Sequence, residues 1–224
     1  MAMVGFCGNG QTQGFVNLDF NSPQLSAYGA GPAFVPAANA IPGWTDHLGT
    51  NQQTTVLYNA LSGGVGDLAI IGTNCPESFV SPIPDNNYNV VLQSGPVSGG
   101  EAYFSSAIAQ TGLIPLDTES ILFEASLPSG VGWQVTIGGQ VIHVSQISSL
   151  NSAFAVYGGD VSMFAGQVVR LEFTALASPV PPNDLDLDAI SFSSSPVPEP
   201  GVFGLSALGA LILVFRNRRK PSEI

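Results

Sequence analysis

Apolar and polar residues alternate along several short segments of the chain, a pattern typical of half-buried β-strands. In residues 167–176 (QVVRLEFTAL), Val169, Leu171 and Phe173 fall on one side of an extended chain and polar residues on the other. The other segments that alternate in this way, or form a short apolar run, are residues 15–20, 54–61, 67–72, 87–93, 101–112, 132–137 and 187–194. These segments predict a chain built of many short strands.

Turn residues separate these segments and set the fold class. Gly138-Gly139 lies between two strand patterns and predicts a two-residue hairpin. No helical periodicity longer than two turns occurs before residue 200. We therefore predict an all-β fold over residues 15–193, an antiparallel β-sandwich of the jelly-roll type.

A second kind of segment follows this body. Residues 201–215 (GVFGLSALGALILVF) contain no charged residue. As a helix, they would be about 22 Å long at ~1.5 Å per residue, which is short for a bilayer core of ~30 Å. They are apolar on every side, which disfavours a buried core helix. We predict a short C-terminal hydrophobic helix that enters a membrane.

Basic residues are concentrated directly after this run. Four of the five in the chain lie there: Arg216, Arg218, Arg219 and Lys220. Basic residues beside an apolar span stay on the cytoplasmic side of a membrane. This predicts that residues 216–224 form a cytoplasmic tail and that residues 1–200 lie outside.

The body itself is strongly acidic. Residues 1–200 contain fifteen carboxylates and one basic residue, Arg170, while residues 201–224 carry a net charge of +3. An acidic body repels phosphates, which excludes nucleic-acid binding. Charged residues make up only 9% of the chain, and the abundance of glycine and proline suits an exported protein with many turns.

The end of the chain resembles the PEP-CTERM sorting signal of bacterial proteins. The residues that carry the resemblance are Pro198, Glu199 and Pro200, the apolar run 201–215 and the basic cluster. Membership of that family implies recognition and cutting by an exosortase-type enzyme, followed by delivery to the cell surface or an extracellular polysaccharide matrix. Residues 194–200 are rich in serine and proline, so we expect an extended, accessible linker.

The first fourteen residues do not form a secretory signal peptide, because they lack a basic start and a sufficiently long apolar run. We expect residues 1–14 to be the remnant of such a signal, left by a misassigned start or a truncation. The alternative is a protein that is not exported. Cys7 would fall in this segment, and Cys75 would be a single buried or turn thiol. The alternative is a Cys7–Cys75 disulfide, if the N-terminus is retained.

Three phrases in the body resemble exported jelly-roll domains related to galactose-binding and carbohydrate-binding modules: NLDFNSP (17–23), IPGWT (41–45) and LDLDAISF (185–192). In such domains a structural calcium joins the first strand to the last. The matching positions are Asn21 and Asp188, although the family often has Glu where Asn21 stands. Trp44 is the matching candidate for stacking against a sugar, and a core position is the alternative.

The alternation pattern gives an independent expectation for Asp188. It shares parity with Ile190 and Phe192, so it should face the core, where a carboxylate needs a partner. The partners available are Arg170, a calcium ion, or water and backbone amides at the rim of the sheet.

No residue pattern points to a catalytic site. The chain has two histidines and contains neither a GxSxG nor an HExxH motif. We therefore expect a non-enzymatic surface or matrix protein with a structural or adhesive role. The alternatives are a carbohydrate-binding module proper and a glycan-active hydrolase or lyase on the same fold.

Overall fold

The described part of the chain is a sandwich of two β-sheets. The computed structural model describes residues 13–63, 65–75, 87–96, 102–127, 132–179 and 183–197. Its strands are β1 Ala33–Pro36, β2 Thr45–Leu48, β3 Asn51–Gln53, β4 Thr55–Tyr58, β5 Asp67–Gly72, β6 Tyr88–Pro96, β7 Tyr103–Phe104, β8 Ser106–Leu113, β9 Ser120–Ser126, β10 Trp133–Ile137, β11 Gln140–Ile142, β12 Ser145–Ser149, β13 Phe154–Asp160, β14 Val168–Ala175 and β15 Asn183–Ser193. Its helices are short: α1 Ala37–Ala40 and two 3-10 turns, Ser26–Tyr28 and Ser162–Phe164.

The strand order places the last strand in the middle of the larger sheet. That nine-stranded sheet runs β1-β4-β5-β6-β15-β9-β13-β12, with β7 paired to one end of β6. The smaller, six-stranded sheet runs β11-β10-β14-β8-β2-β3. β15 therefore bonds to β6 on one side and to β9 on the other.

The facing sides of the two sheets form one apolar core. Its largest fully buried side chains include Phe20, Phe123, Phe173, Leu68 and Ile108. Phe123 contacts Phe173 edge-on across the core, with ring centroids 5.1 Å apart. The core confirms the β-sandwich that the alternation pattern predicts.

Most of the predicted strands are present. Val169, Leu171 and Phe173 of β14 pack in the core, as their spacing requires. Gly138 and Gly139 have φ values of 58° and 79° and form the turn between β10 and β11. Left-handed conformations at both central residues are what a two-residue hairpin needs, and glycine adopts them without a steric cost.

Two expectations about the strands were wrong. β4 and β5 pair in parallel, with Leu57 opposite Ala69, so the nine-stranded sheet is mixed and not purely antiparallel. Residues 15–20 do not form a strand, and the nearest ladder contact is a single bridge from Gly14 to Leu113. Asn17 and Phe20 have positive φ values, which break an extended conformation.

Strands β4, β5 and β6 bury apolar side chains on both faces. One face joins the main core, and the other carries a second buried cluster of Leu57, Ala69, Ile71 and Val91. Leu61 and Cys75 pack against this cluster. The two-sided burial explains why these strands read as continuous apolar runs.

The predicted C-terminal helix, residues 201–215, lies outside the described residues, as do the basic residues that follow it. Among the residues that are described, none belongs to a helix with the length and apolar character needed to cross a bilayer.

Candidate functional site

The chain leaves the body at the end of β15, and its next residues remain attached to the sandwich. The backbone N–H of Glu119 donates to the carbonyl of Ser193 at 2.8 Å. The Ser120 hydroxyl donates to the carbonyl of Ser195, also at 2.8 Å. The N–H of Ser195 donates to the Ser193 hydroxyl at 3.0 Å. The start of the predicted linker is thus held at this end of the sheet.

The predicted calcium ligands lie at one junction of the nine-stranded sheet. The side-chain oxygen of Asn21 accepts a hydrogen bond from the backbone N–H of Tyr88, the first residue of β6. Pairing of β15 with β6 reaches Leu187 opposite Val90, and one further step in that register brings Asp188 level with the start of β6. Beyond this point β15 bonds to the segment around Leu18 instead of β6: the N–H of Ile190 donates to the carbonyl of Leu18.

The structure corrects the expected orientation of Asp188. Leu185 and Leu187 belong to the main core, so Asp188 faces the outer side of the sheet. Ala189 has a φ of 48° and forms a bulge, after which Ile190 faces the core again. Sequence parity between Asp188 and Ile190 is therefore misleading, because the bulge adds one residue between them.

Asp188 is nonetheless fully buried, and its Oδ1 accepts a hydrogen bond from the N–H of Ala189 at 2.6 Å. Arg170 does not serve it, because that guanidinium pairs with Glu172 at 2.7 Å on the other sheet. Within the described residues, no three Asp, Glu, His or Cys side chains come together as a metal site. Calcium at Asn21 and Asp188 stays a prediction, since these two residues alone fall short of the six to eight oxygens that calcium takes.

Trp44 lies in the core and not on a binding surface. It is 5% exposed, and its ring packs against Phe20 with centroids 5.7 Å apart. Its indole N–H donates to the carbonyl of Asn17 at 3.0 Å. Trp44 thus has the core position that was the alternative to stacking on a sugar.

A buried carboxylate that the sequence analysis missed lies between the sheets. Asp46 of β2 is 1% exposed, and its Oδ2 has no hydrogen-bond partner among the described residues. Burial, together with the negative charge of Asp67 on the opposing sheet, raises the pKa of Asp46 to about 7. The signal was present in the sequence, because Asp46 follows buried Trp44 with strand spacing.

Asp67 belongs to a second polar group, on the outer face of the nine-stranded sheet. Gln93 lies opposite Asp67 on one side and Asp184 on the other. Burial raises the pKa values of both carboxyls. The Gln93 side chain also accepts the N–H of Ser62 at 2.8 Å, so this group fastens a loop to the sheet.

The outer face of the six-stranded sheet carries a separate polar cluster. His47 and Thr45 of β2 lie 3.1 Å apart through the imidazole Nε2 and the hydroxyl oxygen. Burial and the nearby Arg170 charge lower the pKa of His47, against an opposing effect of Glu172. The Arg170–Glu172 pair is partly exposed, and such pairs add at most about 1 kcal/mol to stability.

Comparison with known protein families identifies the end of the chain. Residues 196–220 match the family described as the PEP-CTERM protein-sorting motif. The chain carries a PEP-CTERM sorting motif. The match spans Pro198, Glu199 and Pro200, the apolar run and the basic cluster, so the first resemblance seen in the sequence is confirmed. The PEP-CTERM motif supports an exported, surface-sorted protein and implies exosortase-type processing.

The body is similar to solved structures only at a low level. One is a cleaved adhesin domain of Lys-gingipain from Porphyromonas gingivalis, with 10% identity, a TM-score of 0.41 and coverage of 73% of this chain and 98% of that one. Another is a cyclase from Fischerella sp. TAU, with 14% identity, a TM-score of 0.42 and coverage of 84% and 98%. No curated protein matches the chain. Neither structural likeness is strong enough to inform the role of this protein.

Replacing Trp44 tests its place in the core. Trp44→Ala should lower the free energy of unfolding by about 3–5 kcal/mol, the usual cost of deleting a buried aromatic side chain. Phe34→Ala is the matched control, because Phe34 is 68% exposed, and its effect should stay within about 0.5 kcal/mol. Chemical denaturation measures both. Equal effects would place Trp44 outside the core.

Asp46 should make the protein less stable as the pH rises. Its pKa is higher in the folded protein than in the unfolded chain, so its contribution is complete below about pH 4 and is lost as the pH rises through about 7. The loss is on the order of 4 kcal/mol at ~1.4 kcal/mol per pKa unit. Asp46→Asn should flatten this slope and be more stable than the wild type at pH 8.

Chemical denaturation at a series of pH values measures this slope. Asp160→Asn is the control, because the stability contribution of Asp160 has the opposite pH dependence. Asp160 is exposed, and hydrogen bonds from the Ser162 N–H and hydroxyl lower its pKa. Its contribution is therefore present above its unfolded pKa and lost at lower pH, so the variant should be less stable at neutral pH. Parallel slopes for Asp46→Asn and the wild type would contradict the assignment.

Proposed function

We propose that this protein is a structural or adhesive component of the bacterial cell surface or of the extracellular polysaccharide matrix. The observation that carries the proposal is the PEP-CTERM motif at residues 196–220, directly behind a folded β-sandwich. The motif serves delivery, and the sandwich is the part that remains after delivery.

In the same proposal, residues 201–215 enter the membrane until the chain is cut. Their apolar character and the basic residues that follow support this orientation. The run is short for a permanent anchor, which suits a segment that is removed. The acidic body then lies on the outer side of the membrane.

The geometry of the body supports a structural role over a glycan-active enzyme. Asp46 and Asp67 are a carboxylate pair in which one charge raises the pKa of the other, yet Asp46 is 1% exposed. A general acid or base has to reach its substrate within hydrogen-bond distance. The buried position of Trp44 likewise removes the aromatic platform that a carbohydrate-binding module would use here.

Localisation tests the proposal directly. The chain is expressed behind a functional secretory signal in a host with an exosortase-type enzyme, and cell fractions are probed for the body. The wild type should reach the surface or matrix fraction. A variant with both Pro198→Ala and Glu199→Ala should stay in the membrane fraction, because the motif is no longer recognised. Asp117→Ala, an exposed change in the body, should behave like the wild type.

Two results would contradict the proposal. One is a wild-type protein that remains soluble inside the cell. The other is a purified body that cleaves matrix polysaccharide, which would favour the enzyme alternative. Loss of matrix cohesion on deletion of the gene, with no change in polysaccharide chain length, is the result we expect.

A further inference from the structure

On the outer face of the nine-stranded sheet, half-buried Val197, near the beginning of the sorting motif, lies over Gly158. Gly158 of β13 has no side chain, and three apolar side chains meet above it. A Cβ at Gly158 would lie 2.7 Å from Ile147 Cδ1, 2.8 Å from Leu122 Cδ2 and 3.1 Å from Val197 Cγ2. Leu122, Ile147 and Gly158 are called the Val197 cleft below.

Hydrogen bonds hold the segment that leads to Val197. Ser193 and Ser195 are bonded to Glu119 and Ser120, as described above. Pro196 and Pro198 flank Val197 in the sequence. A residue before proline is confined to extended conformations, so Val197 is presented with little conformational freedom left to lose.

We propose that the Val197 cleft is a binding site for the first residues of the sorting motif, and that the docked motif is shielded from the sorting protease until Val197 is released. The matched motif begins at residue 196. Its start is therefore part of the folded body, whereas the sequence alone predicts a free linker.

Chain length gives the reason why docking shields the motif. Residues 198–200 are the whole connection between docked Val197 and the apolar run. Three residues span about 10 Å at most. This is no more than the ~10 Å that separates two packed sheets, so the connection is shorter than the body is thick. With the run in the membrane, as proposed above, the docked body lies against the bilayer and blocks access. Release of residues 194–197 from the body lengthens the connection between the body and the apolar run by about 13 Å.

Limited proteolysis of the full chain in detergent micelles tests docking. The rate of proteinase K cleavage within residues 193–200 is followed by mass spectrometry. Val197→Asp should raise this rate about tenfold, because an unpaired carboxylate is expelled from an apolar cleft. Ser194→Asp adds the same charge at an exposed position of the segment and should leave the rate unchanged.

A second pair of variants changes the cleft instead of its occupant. Gly158→Ala places a methyl group where the three side chains meet, so Val197, which belongs to no strand, should be displaced and cleavage should be several-fold faster. Gly31→Ala is the control, because a Cβ there has no atom within 4 Å. Since Val197 lies outside the strands, Val197→Asp keeps the test valid even if Gly158→Ala does not fold.

Processing in cells tests the shielding. In the host with the sorting protease, Val197→Asp should be processed faster than the wild type, and Ser194→Asp at the wild-type rate. Equal proteolysis of Val197→Asp and the wild type would overturn docking. Faster proteolysis with unchanged processing would overturn shielding. If the wild type is neither membrane-bound nor processed, the proposed function fails, while the micelle experiment still decides docking.

Discussion

The central position of β15 is the constraint on which the structure depends. The last strand of the described chain bonds to β6 on one side and β9 on the other, and its Leu185 and Leu187 are fully buried in the main core. β6 and β9 have no strand between them until the chain up to residue 193 is available to form β15. The segment that completes the fold is thus the one that leads directly into the sorting motif.

This constraint also orders the chain up to the start of the sorting motif. Hydrogen bonds from Glu119 and Ser120, at the start of β9, hold Ser193 and Ser195. The excess of carboxylates over basic residues in the body favours solubility and opposes self-association. Burial of Asp46 between the sheets adds a cost at high pH that the core has to offset.

The sequence predicts what depends on local pattern. A short apolar run locates β5, alternation locates β10 and β14, and Gly138-Gly139 locates a hairpin, because these features need only neighbouring residues. The parallel pairing of β4 with β5 depends on contacts between distant segments, which periodicity does not encode. The bulge at Ala189 is a separate case. It adds one residue between Asp188 and Ile190, so the two face opposite sides, and a two-residue repeat in the sequence does not reveal it.

Native-state hydrogen exchange gives the most direct test of the central strand. If β15 completes the fold, its amides should exchange as slowly as those of β6 and β9 and only through global unfolding. Slow exchange in β6 and β9, together with rapid exchange along residues 183–193, would show that the sheet forms without its last strand and would contradict this account.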